Sequence, residues 1–160
     1  MIKDIRKIIA WALKEMDLYS PQATDLVFKT GMAETGYKAI KQYGGGPALG
    51  FWQVEPATIK DTMENYVKYR PELEKGLKKL GYSDNDMEYR VMSNIALQAV
   101  FCRLKYKRDK YALPLIGDLR GQAKYWKRVY ACTSAVSSPE EPIFIIPIQC
   151  GSLPSKRTLV

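Results

Sequence analysis

Apolar side chains recur at intervals of three and four residues along most of this chain, the spacing of helices that bury one face. The opening segment shows the pattern at Ile5, Ile8, Ile9, Ala12, Leu13 and Met16. Ser20 and Pro21 then form an N-cap and a first-turn proline for a second helix that runs into Glu34. The pattern predicts an amphipathic opening helix packed on a core, followed by a helix that ends in an acid.

Four more helices are predicted beyond a loop with three glycines, Gly44 to Gly46. They cover residues 57–69, Pro71 to near Gly81, Met87 to about Lys107, and Leu119 to Tyr130. Asn85 or Asp86 would cap the third, which is apolar enough to be a buried central helix, and Asp118 would cap the fourth. We expect the fourth to pack through one face, formed by Leu119, Ala123, Trp126 and Tyr130.

The composition changes after Tyr130. Residues 131–160 are rich in serine, proline and small side chains and contain the apolar run Ile143 to Ile148, interrupted by Pro147. That run suits an edge strand, a docked tail or a segment foreign to the domain. We therefore predict one compact, mainly α domain over residues 1–130 and a C-terminal tail of atypical composition over residues 131–160.

Charge narrows the classes of partner. The 160 residues carry 25 Lys and Arg against 17 Asp and Glu, a formal net charge of +8, which favours nucleic acid, acidic lipid or a polyanionic cell wall. Charged residues interrupt the opening helix, so neither a signal peptide nor membrane insertion is expected. The basic run from Arg103 to Lys110, which includes Tyr106, supports a rival hypothesis of a nucleic-acid-binding module.

Several chemistries are excluded by residue type. The chain has no histidine, so histidine-based nucleophilic triads, histidine metal ligands and imidazole acid–base catalysis are ruled out. Cys102, Cys132 and Cys150 lack the spacing of a disulfide framework or a zinc site. The glycine run lacks the Lys-Ser/Thr pair of a phosphate-binding loop. We expect no metal or organic cofactor.

Glu34 is the candidate acid. Cleaving a glycosidic bond requires an acid that is protonated near neutral pH and can donate a proton to the leaving oxygen. Desolvation beside aromatic side chains raises the pKa of a carboxyl group, and Tyr37, Phe51 and Trp52 could provide such surroundings. A glutamate at a helix end is more commonly solvated, so the hypothesis depends on these neighbours.

Two short blocks of the sequence resemble a known family. Glu34-Thr35, then Gly50 and Gln53, then Pro56-Ala57-Thr58 are spaced as in the lysozyme-like superfamily, in its group of soluble lytic transglycosylases and goose-type lysozymes. The stretch Gly46 to Gln53 is most similar to phage-encoded peptidoglycan-degrading proteins. The resemblance extends from about Ile8 to Tyr130 and implies a lysozyme-like α+β fold, mainly helical, with the acid facing a glycan groove.

The resemblance also assigns roles by position. Glu34 would be the general acid, Gly50 and Gln53 would shape the groove and contact sugars, and Thr35 keeps the hydroxyl of the family's serine. Phe51 and Trp52 could each be a sugar-stacking platform or core packing, and we expect one of each; Tyr37 is a further substrate-contact candidate. The family's Ala-Tyr-Asn-Ala-Gly stretch, whose tyrosine lies near the acid, is missing, and Tyr125 and Tyr130 are the nearest substitutes.

Two reaction outcomes remain open. In a lytic transglycosylase the C6 hydroxyl of muramic acid attacks the anomeric carbon, giving a 1,6-anhydro sugar without a second carboxylate. In a hydrolase a second carboxylate activates water, and Glu55 occupies the position of that acid in goose-type enzymes. Glu55 is as well explained as an acid favoured by the dipole of the helix that it precedes.

These observations predict an enzyme that cleaves peptidoglycan glycan strands in phage entry or lysis. It would reside in the virion or the host cytoplasm and act on the wall or in the periplasm, with other virion or lysis proteins as further partners. No specific nucleic acid is expected. The rivals are the nucleic-acid-binding module and a virion structural protein that keeps the fold without the activity.

Overall fold

The structure is a computed structural model that describes residues 2–131. In this range the chain forms seven α-helices and two short 3-10 helices, Tyr43–Gly45 and Val67–Tyr69. The α-helices are α1 (Ile2–Glu15), α2 (Pro21–Glu34), α3 (Pro56–Asn65), α4 (Pro71–Lys79), α5 (Met87–Ser93), α6 (Ile95–Lys107) and α7 (Leu119–Val129). The mainly α prediction is confirmed. Cys132, Cys150 and the run Ile143–Ile148 lie outside the described residues.

Two helix starts have the side-chain caps that the sequence predicts. Ser20 Oγ accepts a hydrogen bond from the backbone N–H of Ala23 at 3.0 Å, and Pro21 opens α2. Asp118 Oδ1 accepts one from the N–H of Gly121 at 2.8 Å at the start of α7. Because α2 ends at Glu34, the candidate acid lies at a helix C-terminus, as the pattern predicts.

The central helix of the core is α6. All residues from Ala96 to Leu104 are buried, and so is Tyr106. The amphipathic α1 packs on α6 and α2 through Ile5, Ile9, Ala12 and Leu13, and α6 also contacts α2, α3 and α5. Burial of this apolar surface is the main source of stability in the fold, and it holds the C-terminal end of α2 against α6.

The long helix predicted from Met87 to Lys107 is in fact two helices, broken at Asn94. The Asn94 side chain accepts hydrogen bonds from the backbone N–H groups of Ala96 at 3.0 Å and Leu97 at 3.2 Å and caps α6. Asp86 precedes α5 with a φ of 56° and makes no capping hydrogen bond. The side-chain cap predicted at Asn85 or Asp86 is therefore wrong.

Two further predictions need correction. The helix expected over residues 57–69 ends at Asn65 and continues only as the 3-10 helix, because Tyr66 leaves the helical region with a φ of −135°. The buried positions of α7 are Gln122 and Tyr125, whereas Leu119 is 36% exposed. The rest of the predicted face does pack on the core: Tyr130 is buried, and Ala123 and Trp126 are partly buried. The prediction is wrong at Leu119 and omits Gln122 and Tyr125.

Gln122 is buried because it joins a cluster of charged groups between α1, α2 and α7. Its Nε2 donates to Asp25 Oδ2 at 2.9 Å, and its Oε1 accepts from Lys29 Nζ at 2.6 Å. Lys29 also donates to Asp25 Oδ2 at 2.7 Å, and Arg6 donates to Asp25 Oδ1 at 3.3 Å. These bonds fix the position of α7 relative to α2, one helical turn before Trp126.

Candidate active site

The chain turns immediately after Glu34 to bring a second segment against it. The Thr35 hydroxyl donates to the backbone oxygen of Phe51 at 2.8 Å and accepts from the N–H of Tyr37 at 3.2 Å. Gly36 and Tyr37 both have left-handed backbones, with φ values of 58° and 59°. This turn joins the end of α2 to the segment 50–53, which brings together the two blocks that carry the family resemblance.

The carboxyl group of Glu34 is partly buried between α2, α6 and α7. Trp126 Nε1 of α7 donates a hydrogen bond to Glu34 Oε1 at 3.2 Å. Burial raises the pKa of Glu34 to about 7, and the Trp126 hydrogen bond and the charge of Lys105 offset part of that rise. The negative end of the α2 dipole also disfavours the carboxylate. Glu34 is therefore substantially protonated near neutral pH.

Lys105 of α6 and Tyr130, which follows α7, interact electrostatically with this carboxyl group. Burial is the main cause that raises the pKa of Tyr130 well above its usual value, and electrostatic interactions with Cys102 and Glu34 raise it further. The Tyr130 hydroxyl donates to the backbone oxygen of Trp52 at 2.7 Å, and Lys105 Nζ donates to the backbone oxygen of Tyr130 at 2.7 Å. Of the two tyrosines proposed as substitutes, Tyr130 is the one whose pKa is raised by the charge of Glu34.

The segment after the glycine-rich loop is folded by isolated antiparallel bridges, Lys41 to Leu49 and Leu49 to Val54. Gly50 has a φ of 70°, and a Cβ at this position would lie 2.3 Å from the side chain of Gln98. Gln98 Oε1 accepts from the backbone N–H of Phe51 at 2.9 Å, so the glycine permits this close approach. The β structure of the α+β fold that the resemblance implies consists, within residues 2–131, of these two bridges.

Gln53 closes the turn that begins at Gly50. Its backbone N–H donates to the Gly50 oxygen at 3.1 Å, and its Nε2 donates to the same oxygen at 2.9 Å. Gln53 has a φ of 49° and is partly exposed, as are Thr35 and Phe51. The Thr35 hydroxyl joins the end of α2 to this turn, and Phe51 and Gln53 belong to the turn itself.

Two aromatic candidates for substrate contact belong to the core instead. Trp52 is 0% exposed, and its Nε1 donates to the backbone oxygen of Val27 at 2.7 Å. Tyr37 is 2% exposed, and its hydroxyl donates to the oxygen of Phe28 at 2.8 Å. Their rings pack edge-on, with centroids 5.5 Å apart. Trp52 is therefore the core-packing member of the pair expected at Phe51 and Trp52, whereas the sugar contact predicted for Tyr37 is wrong, because this ring is covered by protein.

Tyr125 also needs correction as a substrate contact. It is 8% exposed and stacks on Tyr106 at a centroid distance of 5.6 Å. Burial, followed by a hydrogen bond with Asp109, raises its pKa to about 12, which leaves it neutral under all physiological conditions. Its role in the structure is to pack α7 on α6.

Trp126 and Lys105 are the site residues that sequence reasoning missed. We expected Trp126 to pack on the core; it does so in part, and it also contacts the acid. Lys105 belongs to the basic run interpreted as a charged helix face, but its side chain is partly buried beside Tyr130. No local signal in the sequence indicates that these residues meet Glu34, because the contact depends on how α6 and α7 pack.

Glu55 lies at the N-cap position of α3. Its backbone oxygen accepts from the N–H of Ile59 at 3.1 Å, and its side chain makes no capping hydrogen bond. A dipole interaction with α3 remains available to this partly exposed carboxylate. The second candidate acid is thus not engaged as a hydrogen-bonded cap.

The basic run from Arg103 to Lys110 does not form one exposed stripe. Arg103 is 8% exposed and donates to the backbone oxygen of Leu18, and Lys105 points to Tyr130. Arg108 is exposed and paired with Asp61, and Lys107 and Lys110 are exposed as well. The run is therefore poorly suited to track a nucleic-acid backbone.

Other possible sites in the described part of the chain are few. A concavity of about 310 Å³ lies between α3, α4 and Tyr82, and its lining does not include Glu34. Within residues 2–131 no group of acidic or cysteine side chains could hold a metal ion. No helix in that range has the length and apolar character needed to span a membrane.

Comparisons of the chain with family models, curated proteins and solved structures found no match. The residues around Glu34 are therefore the basis for assigning a function.

Proposed function

We propose that this protein cleaves the β-1,4 bond between MurNAc and GlcNAc in bacterial peptidoglycan, with Glu34 as the general acid, on a lysozyme-like fold. One observation carries the proposal: a partly buried glutamate at a helix end has its pKa raised to about 7. Such an acid is protonated often enough at neutral pH to donate a proton, and ionised easily enough to take one back. The resemblance of the two motif blocks selects the substrate.

The favoured reaction is that of a lytic transglycosylase. Protonated Glu34 donates its proton to the glycosidic oxygen as the bond from the anomeric carbon to that oxygen breaks. The C6 hydroxyl oxygen of the same muramic residue then bonds to the anomeric carbon, and its proton passes to the Glu34 carboxylate. The product is a 1,6-anhydro end, and the acid returns to its starting state without a second carboxylate.

Hydrolysis through Glu55 is the close alternative. The Glu55 side chain makes no capping hydrogen bond, so its carboxylate could activate a water. The product would then carry a free reducing end. The proposed setting for either reaction is phage entry or host lysis, with glycan strands as the substrate and virion or lysis proteins as partners.

Mass spectrometry of digested peptidoglycan tests the proposal. Wild type is compared with Glu34→Gln, which keeps the shape of the side chain but cannot donate the proton, and with Glu88→Gln as a matched control at an exposed glutamate. Anhydro-muropeptides made by wild type and Glu88→Gln but lost in Glu34→Gln would support the transglycosylase.

Reducing ends in place of anhydro ends would indicate hydrolysis and direct attention to Glu55. No release by wild type from several wall types would contradict the proposal. It would favour the rival hypotheses of a nucleic-acid-binding module or a virion structural protein without activity.

A further inference from the structure

We infer that Trp126 is a positioning residue for Glu34. The indole N–H of Trp126 binds Oε1 of the Glu34 carboxyl group and so places the transferable proton on Oε2. The inference rests on the proposed function for its catalytic meaning. Its physical content, a hydrogen bond that reports the protonation of one carboxyl group, can be tested without substrate.

The chemistry of the two partners determines where the proton lies. An indole nitrogen is a donor only, and a protonated carboxyl group has one O–H and one carbonyl oxygen. The carbonyl oxygen is the stronger acceptor of the two, and Trp126 Nε1 donates to Oε1 at 3.2 Å, so this bond favours the form with the hydrogen on Oε2. When Oε2 gives its proton away, the same indole bond becomes charge-assisted and stabilises the carboxylate that forms.

The indole is held in place from both sides along the chain. One turn earlier, Gln122 is bonded to Asp25 and Lys29 of α2. One turn later, the Tyr130 hydroxyl donates to the backbone oxygen of Trp52. Trp126 is therefore fixed relative to α2 before any substrate binds, which is how a supporting residue orients a reacting group.

Three other titratable groups around Glu34 keep one protonation state near neutral pH: Cys102 and Tyr106 on α6, and Tyr130 after α7. Burial raises the pKa of the Cys102 thiol and of the Tyr106 and Tyr130 hydroxyls, so each remains neutral. The charge of Lys105 on α6 also acts on Glu34. A titration that the Trp126 indole senses near neutral pH, and that is lost in Glu34→Gln, therefore belongs to Glu34.

The first test is heteronuclear NMR of the indole N–H groups across the neutral range. The chain has three tryptophans, and Trp11 and Trp52 are internal references: Trp11 is 52% exposed, and Trp52 donates to a backbone oxygen. The Trp126 signal should shift with a midpoint at the pKa of Glu34, about 7, and should stop titrating in Glu34→Gln. A Trp126 signal that is flat, or unaffected by Glu34→Gln, would overturn the inference.

The second test compares Trp126→Phe with Trp11→Phe, a matched change on the surface. Removing the N–H should raise the pKa of Glu34, so the fall in rate on the alkaline side should move to higher pH. We expect kcat to fall about tenfold, the size of one hydrogen bond to a charged group, with KM nearly unchanged. A uniform loss of activity with the same pH profile would mean a structural role only and would overturn the inference.

The two proposals fail separately. Cleavage through Glu34 by a protein whose Trp126 signal does not titrate would refute the positioning role alone. A titrating Trp126 in a protein that releases no muropeptides would refute the proposed function and leave the hydrogen bond intact. If Trp126→Phe does not fold, the indole titration of the wild type still decides the question.

Discussion

Asp25 and Glu34 lie on the same helix and each accepts a hydrogen bond from α7, but their surroundings shift their pKa values in opposite directions. Burial acts to raise the pKa of Asp25, but hydrogen bonds from Lys29 and Gln122 and the charge of Lys29 overcome it and lower the pKa. Burial raises the pKa of Glu34 to about 7, because one indole and a more distant cation offset only part of the rise.

The comparison shows that depth alone does not set the charge of a carboxyl group. Asp25 is only 7% exposed, yet it is held as an anion. The number and charge of the donors decide the outcome. Asp25 is suited to hold α1, α2 and α7 together, and Glu34 is suited to exchange a proton.

The largest expected effect is on the cleavage rate, which should depend much more on the Glu34 carboxyl than on the Asp25 carboxyl. Glu34→Gln should reduce the rate of glycan cleavage by roughly 10²- to 10⁴-fold, the usual contribution of a general acid, and should leave the fold intact. Asp25→Asn should reduce the rate per folded molecule by about tenfold at most, because Asp25 acts on the acid only through Gln122 and Trp126. Initial rates of muropeptide release, normalised to folded protein, check both. Equal losses in the two variants would break the comparison.

The pH dependence of stability should have opposite signs at the two sites. The folded protein holds the Glu34 proton up to a pKa of about 7, whereas the unfolded chain releases it near the ordinary glutamate pKa of 4.5, so the free energy of unfolding falls as pH rises through this window. Glu34→Gln removes that cost. The free energy of unfolding of Glu34→Gln, relative to that of wild type, should therefore increase by about 3 kcal/mol between about pH 4 and about pH 8.

Urea denaturation at the two pH values measures this gain. The pKa of Asp25 is lowered, so its contribution to the free energy of unfolding is present above the ordinary aspartate pKa of 3.8 and is lost as pH falls through the folded pKa. The cost of Asp25→Asn should therefore shrink in acid. A Glu34→Gln stability difference that does not change with pH would contradict the raised pKa.

Asp25→Asn should destabilise the fold by about 2 kcal/mol at neutral pH, because Lys29 and Arg6 lose their anionic partner. Asp61→Asn is a suitable control, since Asp61 is paired with Arg108 on the surface and its side chain is 49% exposed. Chemical denaturation of both variants gives the free energies of unfolding. A larger loss for Asp61→Asn would count against the structural role of Asp25.

Lys105→Met should give the smallest effect. The charge of Lys105 lowers the pKa of Glu34, so its removal should raise that pKa and extend cleavage to higher pH. The variant also loses the hydrogen bond to the Tyr130 oxygen, which should cost about 1 kcal/mol of stability. The pH profile of kcat/KM measures the shift. An alkaline limb that moves to lower pH would show that Lys105 acts on a group other than Glu34.

The sequence predicts helix positions where a local signal marks the boundary. Ser20-Pro21 and Asp118 are such signals, and the helices begin there. Asn94 was missed because an asparagine inside an apolar pattern is compatible with a continuous helix, and only the packed structure shows it capping α6. Tyr66 was missed for the same reason.

The same holds for the candidate site: local signals predict some of its residues, and tertiary packing determines the others. Glu34 at the end of α2 was predictable from the motif and the helix pattern together. In the short segment after Gly50, however, the pattern cannot tell which side chains point inward, and Trp52 is buried while Phe51 and Gln53 stay partly exposed. The contact of Trp126 with Glu34 joins residues far apart in the chain, so it depends on tertiary packing alone.

A carboxyl NMR titration of Glu34 and Asp25 in one folded sample tests the central claim most directly. We predict that Glu34 titrates with a pKa of about 7 and that Asp25 titrates below the ordinary aspartate pKa of 3.8. A Glu34 midpoint near 4.5, the ordinary glutamate pKa, would show that burial does not hold the proton on this acid. It would remove the physical basis for Glu34 as the proton donor in glycan cleavage.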